Sequence, residues 1–277
     1  MTLRSRLEAS TPSLASIAVA TTALTFVLML LGIWTAVGGY GLTCNGRWPI
    51  CDGAVFGLFP ANFGSFVEWF HRLVAMITGF AIMGTAIAAW RGGAERRVRA
   101  AFLLALVITP LQIVLGALTV TTYERLILAL HFGSALTILA LLVAGTAWTV
   151  EDIPSIDRLA AIAALALPPA LLLTPGVFVD FLLELHLLYN ALGLGAFVAL
   201  FLASLGARTH SELPRLAAGV GAVATALALI VGRVRLDATG QATILLGLGI
   251  ALAMALATIL LSRRAAGIEG SIGSTHS

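Results

Sequence analysis

The chain has 277 residues and no lysine, so all 16 of its basic side chains are arginines. Charged residues make up only 10% of the sequence against 60% hydrophobic, a balance that excludes an ordinary soluble domain. The pI near 9.4 comes with no long basic face interleaved with aromatics, which excludes a nucleic-acid footprint. Cysteine occurs twice, at Cys44 and Cys51. That spacing is too wide for a zinc knuckle, and there is no second ligand pair to complete one. The alternating ten-residue pattern of an outer-membrane barrel is missing as well.

What the sequence has instead is apolar length. Runs of about twenty residues, enough to cross a bilayer core, lie at roughly 14 to 37, 67 to 90, 98 to 120, 126 to 150, 159 to 179, 181 to 207, 214 to 233 and 240 to 261. These predict an all-α membrane protein of eight transmembrane helices. With the N-terminus inside, the inner segments contain Arg4, Arg6, Arg91, Arg96, Arg97, Arg99, Arg158, Arg208, Arg215, Arg263 and Arg264. The outer ends contain fewer: Arg47, Arg72, Arg125, Arg233 and Arg235. The positive-inside rule then predicts a multi-pass protein of the cell membrane with both termini cytoplasmic. The first helix follows a short Arg-bearing leader, exceeds a signal-peptide core in length, and is read as retained.

The polar link from Glu151 to Arg158 divides the chain into a half at 1–150 and a half at 151–277. Four helices on each side give both halves the same orientation, a parallel repeat about the membrane normal. His71 maps onto His186 with an offset of 115, and Gly116 onto Gly232 with an offset of 116. His131 maps onto Gly247, and the last apolar run contains no histidine, so the second half is chemically degenerate.

The first outer loop, rich in glycine, contains both cysteines, and outside the cell a disulfide between Cys44 and Cys51 is the expected state. Glu68 and His71 are three apart and share one helical face. Ionisable groups within a membrane segment are costly, which makes them functional candidates by default. His71, His131 and His186 each fall in the first two turns of a helix running outside to inside, at one depth. A membrane histidine can simply bond a neighbouring helix. Two on alternate helices of one four-helix unit, facing at one level, suit bis-imidazole ligation of a haem. Arg72 and Arg125 are the cations nearest these histidines in sequence and are candidates for the haem propionates, snorkelling to headgroups being the other reading for Arg72. Arg233 and Arg235 have a weaker claim on a site in the second half. Asp180, Glu184, Tyr189 and Asn190 read as helix-end and packing residues.

Several stretches together resemble the haem A synthase family of cytochrome oxidase assembly proteins. They are Gly41-Leu42-Thr43-Cys44, Arg47-Trp48-Pro49-Ile50-Cys51, Glu68-Trp69-Phe70-His71-Arg72, Leu111 through Val120 (Leu-Gln-Ile-Val-Leu-Gly-Ala-Leu-Thr-Val), and His131. The resemblance is close in the first half and architectural in the second. It implies oxidation of a ring methyl of haem O to the formyl group of haem A, by two hydroxylations and loss of water. His71 and His131 would bind the substrate haem, and Glu68 would stabilise charge or manage protons beside the reacting methyl. In the family the second half holds a haem b on two histidines; here His186 alone is available, leaving a one-ligand site, another ligand such as Met254, or no haem. The implied partners are haem O synthase, the oxidase assembly machinery and membrane lipid, with homo-oligomerisation open. The alternatives are a non-catalytic haem carrier, which has no need of Glu68, a di-iron oxygenase, which needs a second Glu-x-x-His and more carboxylates, and a two-repeat transporter.

Overall fold

The computed structural model describes residues 13–274 apart from 45, 49–50, 52–53, 56–58, 61, 123, 180–181, 207–211 and 235–236, and apart from the side chains of 54–55, 60 and 266–274. Arg4, Arg6, Arg208, Arg235, Asp180, Pro49 and Ile50 therefore lie outside the described residues. Eight helices dominate: α1 Leu14–Val37, α2 Phe63–Arg91, α3 Arg96–Thr121, α4 Arg125–Ala147, α5 Ile156–Leu172, α6 Leu183–Leu205, α7 Leu213–Val234 and α8 Ala238–Ser274. Between α1 and α2 lie a 3-10 turn, Tyr40–Leu42, and a short antiparallel pairing of β1, Ala54–Val55, with β2, Phe59–Pro60.

Among the described residues seven helices are long and apolar enough to cross a membrane, all of those named except α5. That helix has 17 residues, about 25 Å at the α-helical rise. The expected run to residue 179 stops at Leu172 because Pro168 and Pro169 remove two amide donors and Thr174-Pro175-Gly176 then turns the chain. α2 in turn starts at Phe63, four residues before the expected position. Asn62 caps it, its side-chain oxygen accepting from the Ser65 amide at 2.8 Å, so Glu68 sits in the second turn.

Helices α1 to α4 pack in a ring of neighbours, and so do α5 to α8. The two rings meet chiefly through α1 and α4 on one side and α6 and α7 on the other. Because an apolar face gains little by leaving lipid, close approach and hydroxyl pairs fasten the helices. The Thr21 and Thr85 hydroxyls are 2.9 Å apart between α1 and α2, and those of Thr22 and Thr146 are 2.8 Å apart between α1 and α4. Gly145 on α4 faces the Phe102 ring so closely that a Cβ there would stand 2.6 Å from it.

The core is distributed unevenly. In the first ring, Ala18, Ile82, Ala89, Val98, Phe102, Ala105, Ile138 and Leu142 form a buried cluster at the end away from the Cys44–Cys51 loop. A larger cluster runs along the second ring from Ile156 through Leu167, Leu194, Leu200 and Leu229 to Leu248, and it continues into the first ring through Met29, Ile33, Phe132, Leu136 and Leu139 on α1 and α4. The loop end of the first ring is where Glu68, His71 and His131 are placed.

Candidate functional site

The loop between α1 and α2 folds as a cap on the first ring. Cys44 and Cys51 form a disulfide, and both are buried. Gly39, at φ +70°, takes the left-handed turn that starts the cap. Tyr40 stacks edge-on against Trp34 of α1 and Phe63 of α2, with ring centroids 6.3 and 5.8 Å away. The Ser65 hydroxyl donates to the Thr43 carbonyl at 3.1 Å, joining the cap to the first turn of α2.

Beneath this cap Glu68 is 4% exposed. A carboxylate so placed requires a partner, and Arg72, one turn along α2, supplies it: Nε donates to Glu68 Oε1 at 2.8 Å. The same guanidinium donates through Nη1 to the Arg47 carbonyl at 2.9 Å, so it ties the cap to the site. Arg72 therefore turns inward toward Glu68 and does not snorkel. Gly41 lies above the pair, where an added Cβ would meet Glu68 Oε2 at 3.8 Å.

His71 is next on the inward face of α2. It occupies ground that α1 vacates at Gly32, where a Cβ would stand 3.0 Å from His71 Nε2. His131, on the second turn of α4, is received in the same way by α3. There Gly116 would place a Cβ 3.1 Å from His131 Cε1. Each imidazole thus has a glycine cradle on the neighbouring helix, and the two rings lie within electrostatic reach of each other.

Gln112 orients His131. Its amide nitrogen is 3.4 Å from His131 Nε2, and its carbonyl oxygen accepts a short bond from the Ser134 hydroxyl. An amide nitrogen only donates, so this contact assigns the imidazole proton to Nδ1. His131 Nδ1 is buried with no hydrogen-bond partner. Two imidazoles on facing helices, both set against glycine, fit ligation of a haem iron, for which His131 would offer its unprotonated Nε2 in place of the contact with Gln112.

His186 belongs elsewhere. It is buried in the first turn of α6, edge-on to Tyr189 with ring centroids 5.9 Å apart, and the Asn190 amide donates to its carbonyl at 2.8 Å. Arg233, in the last turn of α7, stands over the Phe132 ring at 5.6 Å and within electrostatic reach of His131, His186 and Tyr189. It therefore reaches the first ring, which its place in the second half does not announce. Arg125 is exposed at the first position of α4. Sequence reasoning missed the cradles Gly32 and Gly116, the Ser134 contact and the Arg47 carbonyl; only Gln112, as a polar side chain in a membrane helix, carried a signal.

A family model described as "Cytochrome oxidase assembly protein" matches residues 15–211. Among curated relatives, a "Protoheme IX farnesyltransferase" from Halobacterium salinarum is 38% identical over 137 residues, 48% of this chain and 30% of its own. A "Heme A synthase" from Bacillus licheniformis is 34% identical over 120 residues, 43% of this chain and 39% of its own. Another from Alkalihalophilus pseudofirmus is 34% identical over 128 residues, 46% and 43% of the two chains. The match spans less than half the length of each of these relatives. The family model, in contrast, covers well over half of this chain, and the chain belongs to the cytochrome oxidase assembly protein family.

Proposed function

We propose that this protein oxidises a ring methyl of haem O to the formyl group of haem A, with the first helical ring as the catalytic half. The observation that carries the reading is the placing of Glu68, His71 and His131 at one end of that ring, under a disulfide-closed cap. Relatives named "Heme A synthase" support it. The oxidation removes four electrons from the methyl carbon, to an external oxidant, in two hydroxylations whose oxygen comes from water or dioxygen. It passes through a hydroxymethyl group and a geminal diol, which loses water to leave the formyl group.

Each residue has a distinct task. His71 and His131 fix the porphyrin plane between α2 and α4. Glu68 lies one turn beyond His71 toward the cap, placed to stabilise positive charge at the reacting carbon and to accept the protons released as it is oxidised. Arg72 pairs with that carboxylate and aims it, and through the Arg47 carbonyl it ties the cap to the site. The cap and the apolar walls exclude bulk water, which strengthens these interactions. Arg72, Arg125 and Arg233 are the cations from which the propionates draw partners.

The relatives named "Protoheme IX farnesyltransferase" favour a second reading, transfer of a farnesyl group. A diphosphate leaving group calls for metal-binding carboxylates, and among the described residues no group of three or more His, Cys, Asp or Glu could hold a metal ion. The same feature weighs against a di-iron oxygenase. A haem carrier would use His71 and His131 but give Glu68 no task.

The reading is tested by supplying haem O to the purified protein and to Glu68→Ala. Formyl or hydroxymethyl haem from the first and bound, unmodified haem from the second is the expected result. Equal product from both removes Glu68 from the chemistry, and bound but unmodified haem in both favours the carrier.

A further inference from the structure

The second ring is built on the same plan as the first, and it differs at the point where a haem would sit. In the first ring Gly116 of α3 faces the His131 ring. Its counterpart on α7 is Gly232, and an added Cβ there would meet Ile244 Cδ1 at 3.6 Å and the Tyr189 hydroxyl at 3.7 Å. The volume that a fourth imidazole would occupy is thus filled by an isoleucine from α8 and a phenol from α6. Tyr189 and Ile244 are 2% and 1% exposed.

The histidine position itself is closed too. Gly247, the counterpart of His131, points at α7, where a Cβ would stand 3.0 Å from the Ala228 Cβ and 3.2 Å from the Ala224 carbonyl oxygen. Those are short, rigid neighbours, so no larger side chain enters without separating α7 from α8. On the other wall the Leu229 side chain presses on Gly193 of α6, 2.7 Å from the position of a Cβ. Leu194, Leu229, Ile244 and Leu248 belong to one continuous buried cluster, which takes in α1 and α4 of the first ring through residues such as Ile33 and Phe132 and includes no residue of α2 or α3.

We infer that the second ring holds no haem: this chain has one haem site, between α2 and α4, and α5 to α8 form a closed companion bundle. The inference rests on the ligation reading above, and it departs from the two-haem arrangement that the family resemblance implies.

The test is the haem-to-protein ratio of the full chain purified in detergent after expression with a haem supply, measured by pyridine haemochrome against quantitative amino-acid analysis, in wild type, His71→Ala, His186→Ala and Gly247→His. The inference expects one haem per chain, lost in His71→Ala and retained with an unaltered absorption spectrum in His186→Ala. Gly247→His is expected to lower the thermal midpoint without raising the ratio. Two haems per chain, or a second haem gained in Gly247→His, overturns the inference and leaves the His71–His131 site standing. One haem that depends on His186 and survives in His71→Ala overturns both, and so does a wild-type protein that is folded by size exclusion and carries none.

Discussion

Arg72 reaches back one turn along α2 to place Nε 2.8 Å from Glu68 Oε1, and through Nη1 it donates to the Arg47 carbonyl in the cap. Both side chains are largely withdrawn from solvent, Glu68 more so than Arg72. A single arginine therefore compensates the buried carboxylate and latches the loop that covers it. Removing one partner of a buried pair leaves the other uncompensated, at a cost of about 3–5 kcal/mol. Arg72→Ala is expected to lower the thermal midpoint strongly and to expose the cap to proteolysis. Arg72→Met with Glu68→Leu should recover most of the stability but none of the activity. Thermal melts in detergent with limited proteolysis measure both.

The Cys44–Cys51 disulfide closes a short loop over the site. For a loop of this length the chain-entropy contribution is about 2 kcal/mol. Cys44→Ser with Cys51→Ser should lose roughly that much by denaturation in mixed micelles, and the loss should appear in haem retention as well, because Arg47 and Gly41 above Glu68 belong to the same loop. A double variant with unchanged stability and haem content would mean that the cap is organised by its aromatic contacts alone.

The glycine cradles make a sharper forecast. At Gly32 and Gly116 an added methyl meets an imidazole at 3.0 and 3.1 Å. Overpacking of that kind costs about 1–3 kcal/mol in protein interiors. Here the ring gives way before the helix does, so the effect falls on ligation. Gly32→Ala and Gly116→Ala are expected to keep their thermal midpoints within a few degrees while the haem spectrum changes and haem is lost on dilution. Gly84→Ala, on α2 with open space around it, is the control.

Gln112 acts through His131 and is a positioning residue. Loss of a hydrogen bond that orients a ligating histidine typically lowers affinity by roughly 10- to 100-fold. Gln112→Leu should weaken haem binding by that order and broaden the low-spin resonance spectrum. Gln112→Glu, which accepts from Ser134 but has no amide N–H to donate to His131 Nε2, should not restore it. A purely structural role would change stability and leave the spectrum unaltered.

Much of this was legible in the residues. The cost of ionisable groups in apolar helices picked out Glu68, His71 and His131, and the offset joining Gly116 to Gly232 was visible before the structure gave it meaning. The Asn62 cap and the Pro168-Pro169 pair were also present in the sequence, and they account for the early start of α2 and the early end of α5. Other features had no local signal. A glycine among apolar residues looks the same whether it faces lipid or an imidazole, so Gly32 could not be distinguished. Arg233 was read with its own half because sequence order does not disclose that α7 packs on α4, where the guanidinium covers Phe132. The fate of Arg72 depended on a loop carbonyl 25 residues away in the chain, which no periodicity encodes.

The most direct measurement of the central claim is chemical identification of the haem that leaves the site. The protein and Glu68→Ala would each be expressed with a haem O supply, purified in detergent, and their acid-extracted haems separated by chromatography and identified by mass. The account predicts haem A or its hydroxymethyl precursor from the wild type, and haem O, still bound, from Glu68→Ala. Haem O alone from the wild type, with oxidant and reductant both supplied, would contradict it.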